Sequence, residues 1–340
     1  MASPAETAPA PGLRYLSAAD VDRCLPDGAT RLDLAEQALR ALGRGAAEMP
    51  PKLGVHPRSG ALLHAMPAWL RDGDLVGLKW VAAFPGNRAA GLPAINGLVV
   101  LNDPNTGLPT WIMDAARITA VRTAAVSGVA IRLFQPREVE RVAILGAGIQ
   151  ARSHLEVVGA LLPGVPLAIY DRHPERAEAL VSEARAAGLS AEPSWDAREA
   201  SAGSSVVVTV ATLGSSTQTM TRDWVQHETL VVAVDFATYV SAELAQSAAR
   251  FVVDDREQFL AYRDGGYFDG YPEPSATLGE ILDDKVDAAG RQTVDPSPAA
   301  ESTGSPTVVS HLGVGLADVI LADAIARRAL ELGVGMALPR

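Results

Sequence analysis

The run Gly146-Ala147-Gly148-Ile149-Gln150-Ala151 follows directly on an apolar stretch, 141–145, and opens a helical one. Between a strand and a helix such a run can cradle a phosphate. The first glycine permits a tight turn, the second lets backbone approach a pyrophosphate, and the small Ala151 lets helix and strand pack closely. The first amides of the helix then face the anion without intrahelical partners. Twenty positions beyond Ala151 stands Asp171, which can accept hydrogen bonds from the ribose hydroxyls of NAD or cap the helix ahead of Pro174. Arg172 offers a cation to the 2′-phosphate of NADP, so NAD is the expected cofactor with NADP left open.

A parallel sheet is needed to hold these groups, and the chain supplies its pattern. Apolar strands are predicted at 141–145, 167–170, 205–211, 230–234 and 251–253, with helices at 148–162 and 174–187. Val206-Val207-Val208-Thr209-Val210 shows no polar alternation, as befits a strand buried on both faces. The expected fold class is therefore α/β, a Rossmann doubly wound parallel sheet. Ligands of such sheets bind beyond the carboxyl ends of the strands. Thr209, Ala211 and Thr212, then Val234 and Asp235, then Ser310 and Gly313 are the expected cleft residues, joined by Thr123 ahead of the first strand.

The amino-terminal half reads differently. An amphipathic helix at 29–42 stops at Gly43 and Gly45, strand-like runs follow at 60–64, 75–81 and 97–102, and Asp103-Pro104-Asn105-Thr106-Gly107 makes a tight turn. A mostly antiparallel α+β unit is expected. The last helix, 313–332, carries Leu316, Val319, Ile320 and Ala324 on one face and is expected to pack back onto that unit. Hence the expected division: a discontinuous domain of residues 1–120 plus 312–340, and a dinucleotide domain of 121–311. Residues 1–12 read as a floppy tail and 284–304 as a surface excursion.

Composition excludes other classes. A net charge of −11 with no basic run speaks against nucleic acid. The lone Cys24 cannot form an internal disulfide, no Cys/His cluster has metal-ligand spacing, and a reducing, cytoplasmic setting is expected. No apolar stretch approaches the roughly 20 residues that span a bilayer, so no membrane partner is expected.

Three further stretches carry a resemblance: Met66-Pro67-Ala68-Trp69 followed by Lys79, the run 102–114, and Arg122-Thr123-Ala124-Ala125-Val126-Ser127. Together with the glycine turn they resemble the ornithine cyclodeaminase and mu-crystallin family, which includes ketimine reductases and an archaeal type of alanine dehydrogenase. The resemblance implies a homodimer assembled through the sheet of the non-Rossmann domain, which would also bind substrate. It implies hydride exchange between nicotinamide and the amino or imino carbon of a small acid, that is, an oxidoreductase acting on a C–N bond. It also implies that Lys52, Lys79 and Arg122 grip the substrate carboxylate. Lys52 alone would pass for a solvated loop charge, whereas Lys79 sits in an apolar strand where an unpaired charge is costly. Lys79 is accordingly counted among the catalytic candidates too.

His64 lies where the cyclodeaminases resemble one another in carrying Glu; it could pass a proton during hydride transfer or simply be a satisfied strand histidine. The departure from the family pattern is at 233–243, where Ala237 replaces an Asp essential to cyclodeaminases. Asp235, two residues earlier, could substitute for it or be a hydrogen-bonding loop residue. Ring closure with loss of ammonia is thereby put in doubt. A cyclodeaminase, or a dinucleotide-binding protein without turnover, remains the alternative expectation.

Overall fold

The computed structural model describes residues 12–211, 217–284 and 304–339. Thr212 and nearly all of the 284–304 excursion lie outside them.

In chain order the first half contains β1 (Leu13–Leu16), α1 (Ala18–Cys24), α2 (Gly28–Gly43), β2 (Ala47–Glu48), β3 (Leu53–Arg58), β4 (Ala61–Leu70), β5 (Leu75–Ala83), β6 (Ile95–Asn102), β7 (Pro109–Asp114) and α3 (Ala116–Phe134). The Ser17 hydroxyl and the Asp20 carboxylate cap each other's backbone at the start of α1, and Asp27 caps α2. β3 to β7 form antiparallel pairs in which Met66, Lys79 and Val99 share one row. Side chains alternate in β4: His64, Met66, Ala68 and Leu70 point inward, and Leu63, Ala65, Pro67 and Trp69 outward. On the outer face Ala65, Trp80 and Leu98 line up across three strands, beside Pro67, Leu78 and Val100. Trp80 and Leu98 stay exposed, as does Leu53 next to Ala65.

The second half contains β8 (Val142–Leu145), α4 (Ile149–Leu161), β9 (Leu167–Tyr170), α5 (Pro174–Ala186), β10 (Ala191–Pro193), α6 (Ala197–Ala202), β11 (Val206–Thr209), β12 (Leu230–Ala233), α7 (Ala242–Ser247), β13 (Arg250–Val253), α8 (Arg256–Asp264), β14 (Ala276–Thr277), α9 (Leu278–Asp284), β15 (Thr307–Ser310), α10 (Gly315–Leu332) and β16 (Met336–Leu338). The mixed α/β class is as expected, with a wholly parallel sheet in the order β10-β9-β8-β11-β12-β15-β13-β14. β15 was not among the predicted strands. It inserts between β12 and β13, and its central position puts the segment after Ser310 at the carboxyl edge of the sheet. β16 joins the first sheet through β1.

Three cores hold these layers. One face of the parallel sheet packs on α3, α4 and α5, and the other on α6, α7 and α8. α10 lies against β4, β5 and β6 and buries Leu316, Val319 and Ile320 there. α3 serves two cores in succession: Ile118 and Val121 belong with α10, and Ala124, Val126, Ala130 and Ile131 with the parallel sheet. Arg122 and Thr123 sit at that changeover.

α2 and α9 cross at a glycine contact so close that a methyl group on Gly279 would fall 2.2 Å from the Leu39 carbonyl oxygen and 2.8 Å from the Gly43 nitrogen. No side chain fits between the backbones, and rigid backbone cannot yield as a flexible side chain would. Gly279→Ala is expected to destabilise the fold by about 1–3 kcal/mol, read as a lower urea midpoint with unchanged slope.

Candidate functional site

Gly146 takes φ +117°, a conformation open to glycine, and a Cβ there would lie 2.7 Å from the Val210 carbonyl oxygen. A Cβ on Gly148, by contrast, would meet no atom within 4 Å. The first position is closed by the neighbouring strand and the second opens onto free space, beside a helix start whose cap residue has no side chain. The turn is held by Asp171: Ala147 N–H donates to Oδ2 at 2.8 Å and His173 N–H to Oδ1 at 2.9 Å. Asp171 thus shapes the phosphate turn and stands at the end of β9, with Arg172 exposed beside it. Ile149 is 63% exposed and the Gln150 Oε1 is buried without a partner among the described residues. An exposed apolar side chain and an orphan acceptor beside uncapped amides fit an amphipathic dinucleotide.

Across the carboxyl edge lie the cations. Lys79 is fully buried, its Nζ 2.8 Å from the Asp318 carboxylate, and Arg122 Nε donates to Asp318 Oδ1 at 2.9 Å. Lys52 Nζ donates to the Leu312 carbonyl. Arg122 lies flat against Gly313, where a Cβ would fall 2.2 Å from Nη1, and Gly313 itself has φ +89°. Three positive side chains therefore converge on 312–318 from β5, α3 and the loop before β3. Burial, with repulsion from Arg122, pulls Lys79 down to about 7 despite Asp318. The same two effects bring Lys52 to about 8. Arg122 Nη1 is buried and has no partner among the described residues. A buried cluster of cations with an unspent guanidinium N–H can take up a carboxylate.

His64 is 8% exposed, with Nε2 3.1 Å from the Tyr262 hydroxyl. Gly54 faces its ring, where a Cβ would lie 2.6 Å from Cδ2, and the Tyr262 ring also lies 5.7 Å from Lys52 Nζ. Burial, then the charge of Lys52, lowers the imidazole to about 4. His64 is thus neutral near pH 7.

Asp235 does not open onto the crevice as the sequence led us to expect. It is 1% exposed; Thr209 Oγ1 donates to Oδ1 at 2.7 Å and Ala211 N–H to Oδ2 at 3.1 Å. Both oxygens join the ends of β11 and β12, because a short acidic side chain after a buried strand finds those donors first. Burial raises this carboxyl to about 7. Thr209 is committed to that contact, and Thr123 donates to its own helix at Thr119 O, 2.7 Å away. Val234 N–H donates to Thr209 O, and the Ser310 hydroxyl is buried without a partner among the described residues.

Several polar groups here escaped the sequence reading. Asp318 is the shared counter-ion, and its only signal was an acidic residue on the apolar stripe of α10. Asp254 accepts from Gly313 N–H at 2.6 Å, and Gln258 donates to Gly313 O at 3.3 Å, fixing the loop on which the cations converge. Ser127, His154 and His311 form a further buried group. Among the described residues no group of His, Cys, Asp or Glu is placed to share a metal, and no helix is long and apolar enough to cross a membrane.

A glycine turn at the carboxyl edge of a parallel sheet, faced by a buried cation cluster, defines a class of dinucleotide-binding α/β proteins, and the comparisons narrow it. Residues 17–329 match the ornithine cyclodeaminase/mu-crystallin family, and the chain belongs to that family. It is 36% identical to the nodulation efficiency protein NfeD of Rhizobium meliloti over 95% of this chain and 97% of that one. An archaeal alanine dehydrogenase dimer with bound NAD superimposes with a TM-score of 0.82 at 30% identity, over 96% of this chain and 99% of that one. The Δ1-pyrroline-2-carboxylate reductase of Thermococcus litoralis, in complex with NADH and L-proline, gives 0.82 at 25% identity, over 96% of this chain and all of that one.

Asp318→Asn should strand two buried cations. A loss of about 3–5 kcal/mol is expected, measured as a fall in the urea midpoint; a change below 1 kcal/mol would show that the pair is solvated in solution.

Proposed function

We propose that the chain is an NAD(P)-dependent oxidoreductase acting on the C–N bond of a small amino or imino acid, as an imine or ketimine reductase or an amino acid dehydrogenase. The observation that carries this reading is the convergence of Lys52, Lys79 and Arg122 on residues 312–318, opposite the glycine turn, with Arg122 Nη1 buried and unpartnered among the described residues. Relatives that handle alanine or pyrroline carboxylate, and structures of such relatives holding NAD or NADH, support it.

Gly146, Gly148 and the first turn of α4 would hold the pyrophosphate, and Asp171 the ribose, with Arg172 able to receive a 2′-phosphate. A nicotinamide bound there supplies or accepts hydride. Arg122 and Lys52 grip the substrate carboxylate, Lys79 contributes charge through Asp318, and Gly313 lets the guanidinium lie close to the loop. Seating a carboxylate offsets the part of the His64 depression that comes from Lys52, burial remaining the larger cause, so the imidazole becomes a somewhat better base when substrate is present. Its proton partner is the Tyr262 hydroxyl.

The cyclodeaminase alternative lacks its base: Ala237 stands in the family position, and Asp235 has both oxygens engaged. The reading also includes division into a domain of 1–120 plus 312–340 and one of 121–311. It includes a homodimer, supported by the apolar outer row of Leu53, Trp80 and Leu98 and by the dimeric relative. Trp80→Glu should shift the elution volume of the purified protein to that of a monomer.

The decisive assay follows nicotinamide absorbance with 2-oxo acids plus amines, cyclic imines and L-amino acids, while ammonia is measured in parallel. Net NADH turnover is expected. Ammonia release without it would select the lyase, and tight NADH binding without either would select a silent binding protein. Arg122→Lys keeps the charge but loses the fork, and should raise KM about 10-fold or more, the worth of one or two charge-assisted bonds. Lys52 holds its proton below about 8 and loses it above. KM for the carboxylate substrate should therefore climb as pH rises through that value, and in Lys52→Met it should be high and nearly flat.

A further inference from the structure

Ser127, His154 and His311 are all buried, on α3, α4 and the segment after β15. The Ser127 hydroxyl lies 2.8 Å from Nε2 of His154 and 2.8 Å from Nε2 of His311, and His154 Nδ1 lies 2.7 Å from the Gln150 carbonyl oxygen. These contacts fix every proton in the chain. A carbonyl only accepts, so His154 carries its proton on Nδ1 and presents a bare Nε2. The serine has one hydrogen and gives it to that nitrogen. Its oxygen must then accept from His311, so His311 is protonated on Nε2 and bare on Nδ1. Burial lowers both imidazoles, to about 4 for His154 and well below the ordinary range for His311, so neither takes the second proton that would undo this order.

His311 Nδ1 is buried and finds no partner among the described residues. An acceptor in that state carries a desolvation cost that a donor would relieve. Two residues on, Gly313 packs against the guanidinium that Arg122 extends from α3, whose Nη1 is the opposite case, a buried donor without an acceptor among the described residues. Lys52 holds the carbonyl of Leu312 between them. An orphan acceptor on this loop and an orphan donor laid against it from α3 match a ligand that offers an N–H beside a carboxylate. That is the head group of an α-amino acid, or of an α-imino acid in its protonated iminium form.

We propose that His311 is a substrate-contacting residue whose Nδ1, locked in its bare form by Ser127 and His154, accepts the N–H of the α-nitrogen while Arg122 holds the carboxylate. This rests on the functional reading above and adds to it a source of specificity. A 2-oxo acid would set its carbonyl oxygen against the nitrogen lone pair, whereas a protonated imine offers its N–H, so iminium forms are selected over their parent oxo acids and no 2-hydroxy acid is made.

The test is nitrogen NMR of protein labelled at histidine, which has six such residues, with His311→Ala assigning the resonance. In the apoprotein His311 should show a bare Nδ1 and a protonated Nε2. An L-amino acid added with NAD should move Nδ1 in the direction of hydrogen bonding, and a 2-hydroxy acid should not. A protonated Nδ1 in the apoprotein, or an Nδ1 that no amino acid moves, overturns the proposal. A shift complete on NADH alone also overturns it, by assigning the contact to the nicotinamide carboxamide. If His311→Ala does not fold, Ser127→Ala decides: the ring is unlocked, kcat/KM for imines should fall roughly ten-fold, the worth of one buried hydrogen bond, and discrimination against oxo acids should shrink. An unchanged ratio would sink the lock. Failure of wild-type protein to bind NADH by fluorescence would sink the functional reading instead, while the apoprotein tautomer is read independently of it.

Discussion

Three buried cations gathered around Asp318, with Asp254 beside Lys52 and Arg122, are the constraint on which the rest of this molecule turns. Asp318 comes from α10, Lys79 from β5, Arg122 from α3 and Lys52 from the loop before β3, so the pairing ties the first sheet to the helix that leads into the second. Each lysine loses solvent on burial, and their mutual repulsion with Arg122 adds to that cost. A buried ion pair seldom stabilises a protein more than apolar residues of equal volume would. Three cations buried together, one of them with an N–H unpartnered among the described residues, are worse for stability still, and the cluster makes sense as a place prepared for an anion.

The crevice is shaped by contacts that consume polar groups one would otherwise assign to chemistry. Asp171 lends one acceptor site of each oxygen to the turn and the start of α5, keeping others for a ribose, and Asp235 spends both oxygens on the ends of two strands. Asp254 and Gln258 hold Gly313 from either side of its peptide unit. Such preorganisation lets the few unspent groups, Arg122 Nη1 and His311 Nδ1 among them, stand where a ligand meets them without rearrangement. Burial alone therefore separates poorly between working and supporting residues; what separates them is whether every donor and acceptor already has its partner.

Local signals were legible. The glycine turn, the unalternating valines of β11 and the turn at 103–107 each follow from the nearest few residues, and each is found in the structure. What was not legible depends on distant segments. β15 offers only two consecutive valines after a long Pro/Ser-rich stretch, and nothing local says that it lies between β12 and β13. Asp318 looked like one acidic residue in a helix, because its partners come from β5 and α3. Asp235 sits where a cleft residue belongs by position, yet its side chain turns toward Thr209, a choice made by strand neighbours. Ser127, His154 and His311 are far apart in the chain and share no motif.

The loop after β12 shows how a departure from the family pattern acquires physical meaning. Phe236, beside the inward Asp235, adopts φ +57°, unusual for a bulky residue, and its ring lies near Phe268, Tyr262 and Tyr267. Ala237 is buried among apolar side chains. A carboxylate at Ala237 would have to be desolvated in that setting, and Asp235 cannot swing out without leaving Thr209 Oγ and the Ala211 amide unpaired. The strained backbone at Phe236 turns an aromatic ring, rather than an acid, toward Tyr262 and hence toward His64. A cationic side-chain amine would find no counter-charge on this wall, whereas an apolar side chain would find contact. The loss of the acidic residue is therefore built into the packing of the loop, and restoring it would take more than a single substitution.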